Sequence, residues 1–344
     1  MSTIKYPVSK PSITQLELDY AKDALDSGWI SSKGDYIDKF ENAWAGYNDY
    51  SYGSACNSGT NALLLALRAL GIGKGDEVIV PEFTMIATAW AVTYCGATPV
   101  FIDCKDDLTI DESLIEDALS KKTKAIIPVH IYGRRCDMDS INRIAIDHKL
   151  FVIEDMAEAH GIKPCSDIAC YSFYGNKIIT TGEGGMCLTN DKKLHTRLQW
   201  LKSMAFDKDH LFFHAEVGYN FRMTNVQAAI GLAQVERMDE ILEKRRQIEK
   251  WYEKYLSRKE RMPKREVLWM FDIHTYDQQG TIDKLKEKGI ETRMFFKCMS
   301  QQPMYLQPYE HLNAYKWSKR GIYLPTFTDM SEFDVKTICE ALQS

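Results

Sequence analysis

The chain has 344 residues, 45% of them hydrophobic and 26% charged, with a formal charge of -5. That length supports one large core with a smaller second domain, and the composition excludes a low-complexity or disordered chain. The negative balance argues against broad nucleic-acid binding, which needs a basic face. No apolar run reaches the roughly 20 residues of a membrane span, so no membrane segment is expected. The nine cysteines are scattered, odd in number and without a C-x-x-C pair. With no signal peptide in evidence, this predicts free thiols in a reducing cytoplasm, with neither a disulfide framework nor a metal site.

In chain order, Asn57-Ser58-Gly59-Thr60 precedes an Ala- and Leu-rich run that predicts a helix over 61–70, broken by Gly71 to Gly75. Residues 77–80 read as a buried strand ended by Pro81, 84–94 as a helix and 98–102 as a strand. A helix is expected over 111–119, a strand over 123–129, a helix over 138–148, and strands over 150–153 and 168–173. Strands alternating with helices imply an α/β fold with a mostly parallel sheet covered on both faces. Ligands bind such sheets at the C-terminal strand ends, and there Asp155 falls.

Beyond Asn225 the pattern changes. Residues 226–255 read as one long, charged, amphipathic helix, followed by a strand over 267–273 and helices over 281–288 and 331–342. The expected division is a large α/β domain over 1–235, including an N-terminal arm, and a connecting helix with a small α+β domain over 236–344.

Three segments carry chemistry. Residues 57–62 open a helix, where free amides and the positive end of the dipole suit a phosphate and Gly59 permits close backbone approach. By itself this segment reads as an ordinary N-cap. Asp155 and Lys177 change that reading. A carboxylate at a strand end can hold a protonated ring nitrogen, and a lysine among small hydroxylated residues before a Gly-rich turn can form an imine. Those are the two groups a pyridoxal phosphate enzyme most needs.

The runs 57–67, Glu154-Asp155-Met156-Ala157-Glu158-Ala159-His160-Gly161, 172–190 and 218–230 resemble the DegT/DnrJ/EryC1/StrS family of nucleotide-sugar aminotransferases. Phe173 to Gly185 is most similar to the perosamine-synthase-like branch, which aminates C4 of a 4-keto-6-deoxy sugar. The likeness spans nearly the whole chain. It implies a pyridoxal-phosphate-dependent transferase of fold type I, like aspartate aminotransferase. It also implies a nucleotide-linked 4-keto-6-deoxy sugar as acceptor and L-glutamate as donor, in perosamine- or viosamine-type synthesis for O-antigen or other glycan.

Carried over by motif, Lys177 would be the imine-forming lysine and Asp155 the ring-nitrogen partner. Glu158 would sit beside the ring hydroxyl, and His160 near the reacting sugar carbon, although His160 reads equally well as a satisfied strand-end histidine. Gly59, Thr60, Asn61 and Ser172 would hold the phosphate, Met85 would lie on the ring, and Asn220 would reach the phosphate from the other subunit of a homodimer. The chain departs from the family pattern in short stretches between Gly161 and Ser166 and before Val267, in Ser300 at a usual histidine position, and in Trp90 where a small polar residue is common. C3 amination remains an alternative at this stage. A sugar 3-dehydratase, which carries histidine at the imine position, is disfavoured by Lys177. A non-catalytic binding protein has no support in the motifs.

Overall fold

The structure, a computed structural model, describes residues 4–207, 209–210, 212–306 and 312–344. Two helices, α1 (Gln15–Asp26) and α2 (Asp35–Tyr47), lead into an alternating unit. In order it comprises β1 (Tyr52–Cys56), α3 (Gly59–Ala69), β2 (Glu77–Pro81), α4 (Ile86–Tyr94), β3 (Thr98–Ile102), β4 (Thr123–Ile126), α5 (Met138–His148), β5 (Phe151–Asp155), β6 (Ile168–Ser172), β7 (Gly185–Thr189) and α6 (Lys192–Lys202). The seven strands form one sheet in the order β1-β7-β6-β5-β4-β2-β3. Strands β3, β2, β4, β5 and β6 run parallel, while β7 lies antiparallel to β6 and β1. The expected mostly parallel α/β sheet is therefore present.

The C-terminal elements are α7 (Asn225–Glu236), α8 (Met238–Tyr255), β8 (Phe271–His274), α9 (Gln278–Glu287), β9 (Arg293–Met294), α10 (Leu312–Ser318), β10 (Gly321–Leu324) and α11 (Glu332–Gln343). The last three strands form a separate antiparallel sheet in the order β8-β10-β9. Among the described residues no helix is long and apolar enough to cross a membrane.

Helix α3 shows why the sheet can carry a site. Ser58 caps it by accepting the Asn61 amide at 3.2 Å, a typical N-cap bond. Its apolar run Ala62 to Leu67 is buried throughout, as expected for a helix sunk into a core. Each of its buried leucines contributes about 1.5–3 kcal/mol, which pins the start of α3 against the ends of β6 and β7. The approach is tight: a Cβ on Gly59 would lie 2.6 Å from Ser172 Cβ, and one on Gly185 would lie 2.3 Å from the Ser58 carbonyl oxygen.

Three expected elements differ. Residues 111–119 form two 3-10 turns, Glu112–Leu114 and Glu116–Ala118. The Asp111 carboxylate takes both the amide and the hydroxyl of Ser113, local bonding that competes with a helix. The single helix over 226–255 is two, α7 and α8, joined at Arg237. There the guanidinium is drawn to Glu17 at 2.6 Å and to the Ser12 carbonyl at 3.2 Å. Of the strand expected over 267–273, only Phe271–His274 pairs in the sheet. Upstream, the Glu266 and Val267 amides donate to the Gly133 carbonyl, and the Leu268 and Trp269 carbonyls accept from Arg245.

Candidate active site

A cavity of about 390 Å³ opens at the C-terminal ends of β5 and β6 and brings together Gly59, Thr60, Met85, Asp155, Glu158, Ser172 and Lys177. Helical geometry leaves the Gly59 and Thr60 amides without a partner inside α3. Ser172, at the end of β6, presents its hydroxyl beside them. Together they make a small anion cradle at the positive end of a helix, which a Cβ at position 59 would fill.

Asp155 ends β5 and is 5% exposed. Its Oδ2 accepts from Thr88 Oγ1 at 2.9 Å and its Oδ1 from the Ala157 amide at 3.1 Å. Burial raises its pKa, against the opposing pull of those two donors and Lys177. Lys177 sits on the turn after β6, its amine 3.9 Å from Glu158 Oε1 and 4.2 Å from the centroid of the Trp269 ring. Burial lowers its pKa, while Glu158 and Asp155 act in the opposite sense. Desolvation thus favours the neutral amine over the ammonium.

Glu158 is 3% exposed, and burial pushes it up to about 7 against the pull of Lys177 and the Tyr132 amide. That amide reaches Glu158 Oε2 at 2.9 Å from a left-handed residue, Tyr132 at φ 50°. Such a conformation costs about 1–3 kcal/mol. It is held because the next residue, Gly133, lies so close to Val267 that a Cβ would come within 1.9 Å of its carbonyl oxygen.

Since the folded protein keeps the Glu158 proton to higher pH than the unfolded chain does, the associated stability is fully present below the ordinary value of 4.5. It is lost as pH rises through about 7. The thermal midpoint of the cofactor-free native protein should therefore fall more steeply between about pH 5 and 8 than that of Glu158→Gln, by up to about 3 kcal/mol of stability. Parallel curves would mean that Glu158 is ionised throughout.

Other expected residues stand apart from the cavity. Asn61 donates its side-chain amide to Asn57 Oδ1 at 2.7 Å, and its backbone amide serves the Ser58 cap. Asn220 is exposed and accepts from Arg222 Nε at 3.0 Å, away from the lining of its own chain's cavity. The expectation for His160 is corrected: the side chain is fully buried among Trp44, Tyr171 and Phe173, with ring centroids 5.5, 5.7 and 5.5 Å away. Its Nδ1 accepts the Ile179 amide at 3.4 Å, and burial pushes its pKa down to about 3. It is a neutral core side chain and does not line the cavity. Ser300 is also buried, its amide donating to Glu82 Oε1 at 2.9 Å.

Sequence reasoning missed Thr88, Trp269, Arg293, Phe296 and Tyr323. Thr88 touches Asp155, and the other four line the cavity from the C-terminal part of the chain. The one local signal was Thr84 and Thr88 at i, i+4 spacing at the start of a helix. The rest depends on contacts more than 90 residues away in sequence.

Residues 11–343 match the DegT/DnrJ/EryC1/StrS aminotransferase family. The chain is 44% identical to the GDP-perosamine synthase of Escherichia coli O157:H7, covering 98% of each chain. It is also 44% identical to the GDP-perosamine synthase of Caulobacter vibrioides, covering 97% of this chain and 96% of that one. Among solved structures, Spr1654 from Streptococcus pneumoniae in its PMP form superposes with a TM-score of 0.92 at 28% identity, covering 98% of this chain and 96% of its own. Its PLP form gives a TM-score of 0.91, also at 28% identity.

Proposed function

We infer the function from the premise that this chain belongs to the DegT/DnrJ/EryC1/StrS aminotransferase family. It is a pyridoxal-phosphate-dependent sugar aminotransferase, and its reaction is of the perosamine type: amination of C4 of a nucleotide-linked 4-keto-6-deoxyhexose. The donor in this reading is L-glutamate, which leaves as 2-oxoglutarate. The carrying observation is the Asp155, Glu158 and Lys177 constellation around one cavity whose floor is an anion cradle. The nine free cysteines, eight of them buried, support a reducing, cytoplasmic setting.

The residues present fit the cofactor. The Gly59 and Thr60 amides and the Ser172 hydroxyl would hold its phosphate, Asp155 its ring nitrogen, Glu158 its phenolic oxygen, and Met85 would pack on the ring. When bound, pyridoxal phosphate supplies an electrophilic aldehyde and a sink for the electrons of a breaking Cα–H bond. Asp155, oriented by the Thr88 hydroxyl and the Ala157 amide, would hold a positive charge at the ring nitrogen. Lys177 Nζ would take the proton from the donor's Cα and deliver it to the carbon of the former aldehyde, which requires the neutral amine that burial favours. Glu158, with a pKa near neutrality, can hold a proton beside that amine and accept or donate without a large energy gap.

The test is incubation with glutamate and a panel of GDP-, dTDP- and UDP-linked 4-keto-6-deoxy sugars, with the product identified by mass and NMR. An amine at C4 is expected. Nitrogen at C3 would move the enzyme to the alternative branch, and no amine from any substrate would end the reading.

The working unit is proposed to be a homodimer with shared sites. Asn220 is exposed and serves no contact in its own cavity, which supports a role on the neighbour's phosphate. Lys177→Ala and Asn220→Ala proteins, each poor alone, should regain activity after mixing and subunit exchange. One hydrogen bond to a charged group contributes about 1.5–3 kcal/mol, so Asn220→Ala should weaken cofactor binding by roughly 10- to 100-fold. A one-chain mass by light scattering in an active preparation would defeat the prediction.

A further inference from the structure

We propose that Trp269 is a positioning residue for the reactive lysine: its indole face carries the Lys177 ammonium, and its indole N–H fixes the turn on which Lys177 sits. The amine lies 4.2 Å from the ring centroid, well inside the range of a cation–π contact. Trp269 Nε1 donates to the carbonyl of Asn176, the residue before Lys177, at 2.7 Å. The side chain is 2% exposed, so neither contact competes with water.

The ring is itself held in place. The backbone carbonyl of Trp269 accepts from Arg245 Nη1 at 2.9 Å and from Thr326 Oγ1 at 3.0 Å. The indole face stacks on Tyr132, with centroids 5.8 Å apart and planes 26° apart. Tyr132 is the residue whose amide binds Glu158. The two stacked residues therefore brace both members of the Lys177–Glu158 pair, and they come from distant parts of the chain.

A ring face does something a second carboxylate would not. It stabilises the ammonium but has no site to accept the proton, so the lysine is held without a competing base. The charged and titratable groups around the amine are Glu158 and Asp155 on the β5 side, and the Lys177 charge also reaches the buried His160. Glu183, Arg293 and Tyr323 line the same cavity.

The inference rests on Lys177 as the reactive amine, and its test does not depend on turnover. In cofactor-free protein, Trp269 is replaced site-specifically by mono-, di- and trifluorinated tryptophans. These keep the shape of the ring while withdrawing charge from its face. The readout is the pH midpoint for acetylation of Lys177, followed by peptide mass mapping. The midpoint should fall stepwise, by roughly one pH unit across the series; an unchanged midpoint would overturn the role of the face. Trp269→Phe keeps a face and loses the N–H, so it should retain part of the midpoint and speed amide deuterium exchange in residues 174–178. Unchanged exchange would overturn the anchoring role. Failure of the aminotransferase reading would show separately, as absent sugar amination with the acetylation series intact.

Discussion

Lys177→Ala is expected to lower turnover by at least about 10³-fold with either substrate, because the amine serves both as the covalent anchor of the cofactor and as the proton carrier. The surroundings sharpen the expectation. Glu158 and the Trp269 ring both face the amine, yet neither can replace a nucleophilic nitrogen. Lys177→Arg provides the companion experiment. It preserves a cation for both contacts, but a guanidinium does not deprotonate in this pH range, so it should be almost as inactive as alanine while binding pyridoxal phosphate through the cradle. A small amine added to the Lys177→Ala protein should recover part of the rate by supplying the missing base. In the native protein, borohydride treatment with the cofactor followed by peptide mapping should mark Lys177. A mark on any other lysine would sink the assignment.

The parts of this site that the sequence discloses are those written in local pattern. The start of α3 is legible because Ser58 and the run Ala62 to Leu67 combine a cap with continuous burial. Asp155 is legible as the polar end of an apolar strand. Strands β1 and β7 are harder to see: each has five residues, and Gly53, Ser54 and Gly185 dilute their apolar signal. Gly185 itself reports a contact with Ser58, invisible until the two segments meet. His160 shows the same limit from the other side. Its place in a motif beside Glu158 suggested the cavity, but three aromatic rings from α2 and β6 onward take it into the core. Trp269 lay in a run read as a strand, of which only Phe271–His274 forms. Periodicity reports burial and not which neighbour is covered.

Asp155→Asn should leave the fold and cofactor binding largely intact while slowing proton removal from the donor. The geometry favours a clean substitution: an asparagine can still accept the Ala157 amide, and the Thr88 hydroxyl can rotate to accept from the new NH₂. What is lost is the negative charge. An opposite charge within hydrogen-bonding range shifts the pKa of its partner by about 1–3 units, so the cationic ring should be roughly 10- to 10³-fold less available. The loss should appear in kcat more than in glutamate affinity. A second consequence follows from the position of Asp155 beside the amine. Its charge raises the Lys177 pKa, so in Asp155→Asn the amine should lose its proton at lower pH than in the native protein, as read by acetylation of cofactor-free protein. A slow enzyme with a more readily neutralised lysine would locate the defect at the ring nitrogen and not at the base. Near-native single-turnover rates in Asp155→Asn would remove the residue from that role.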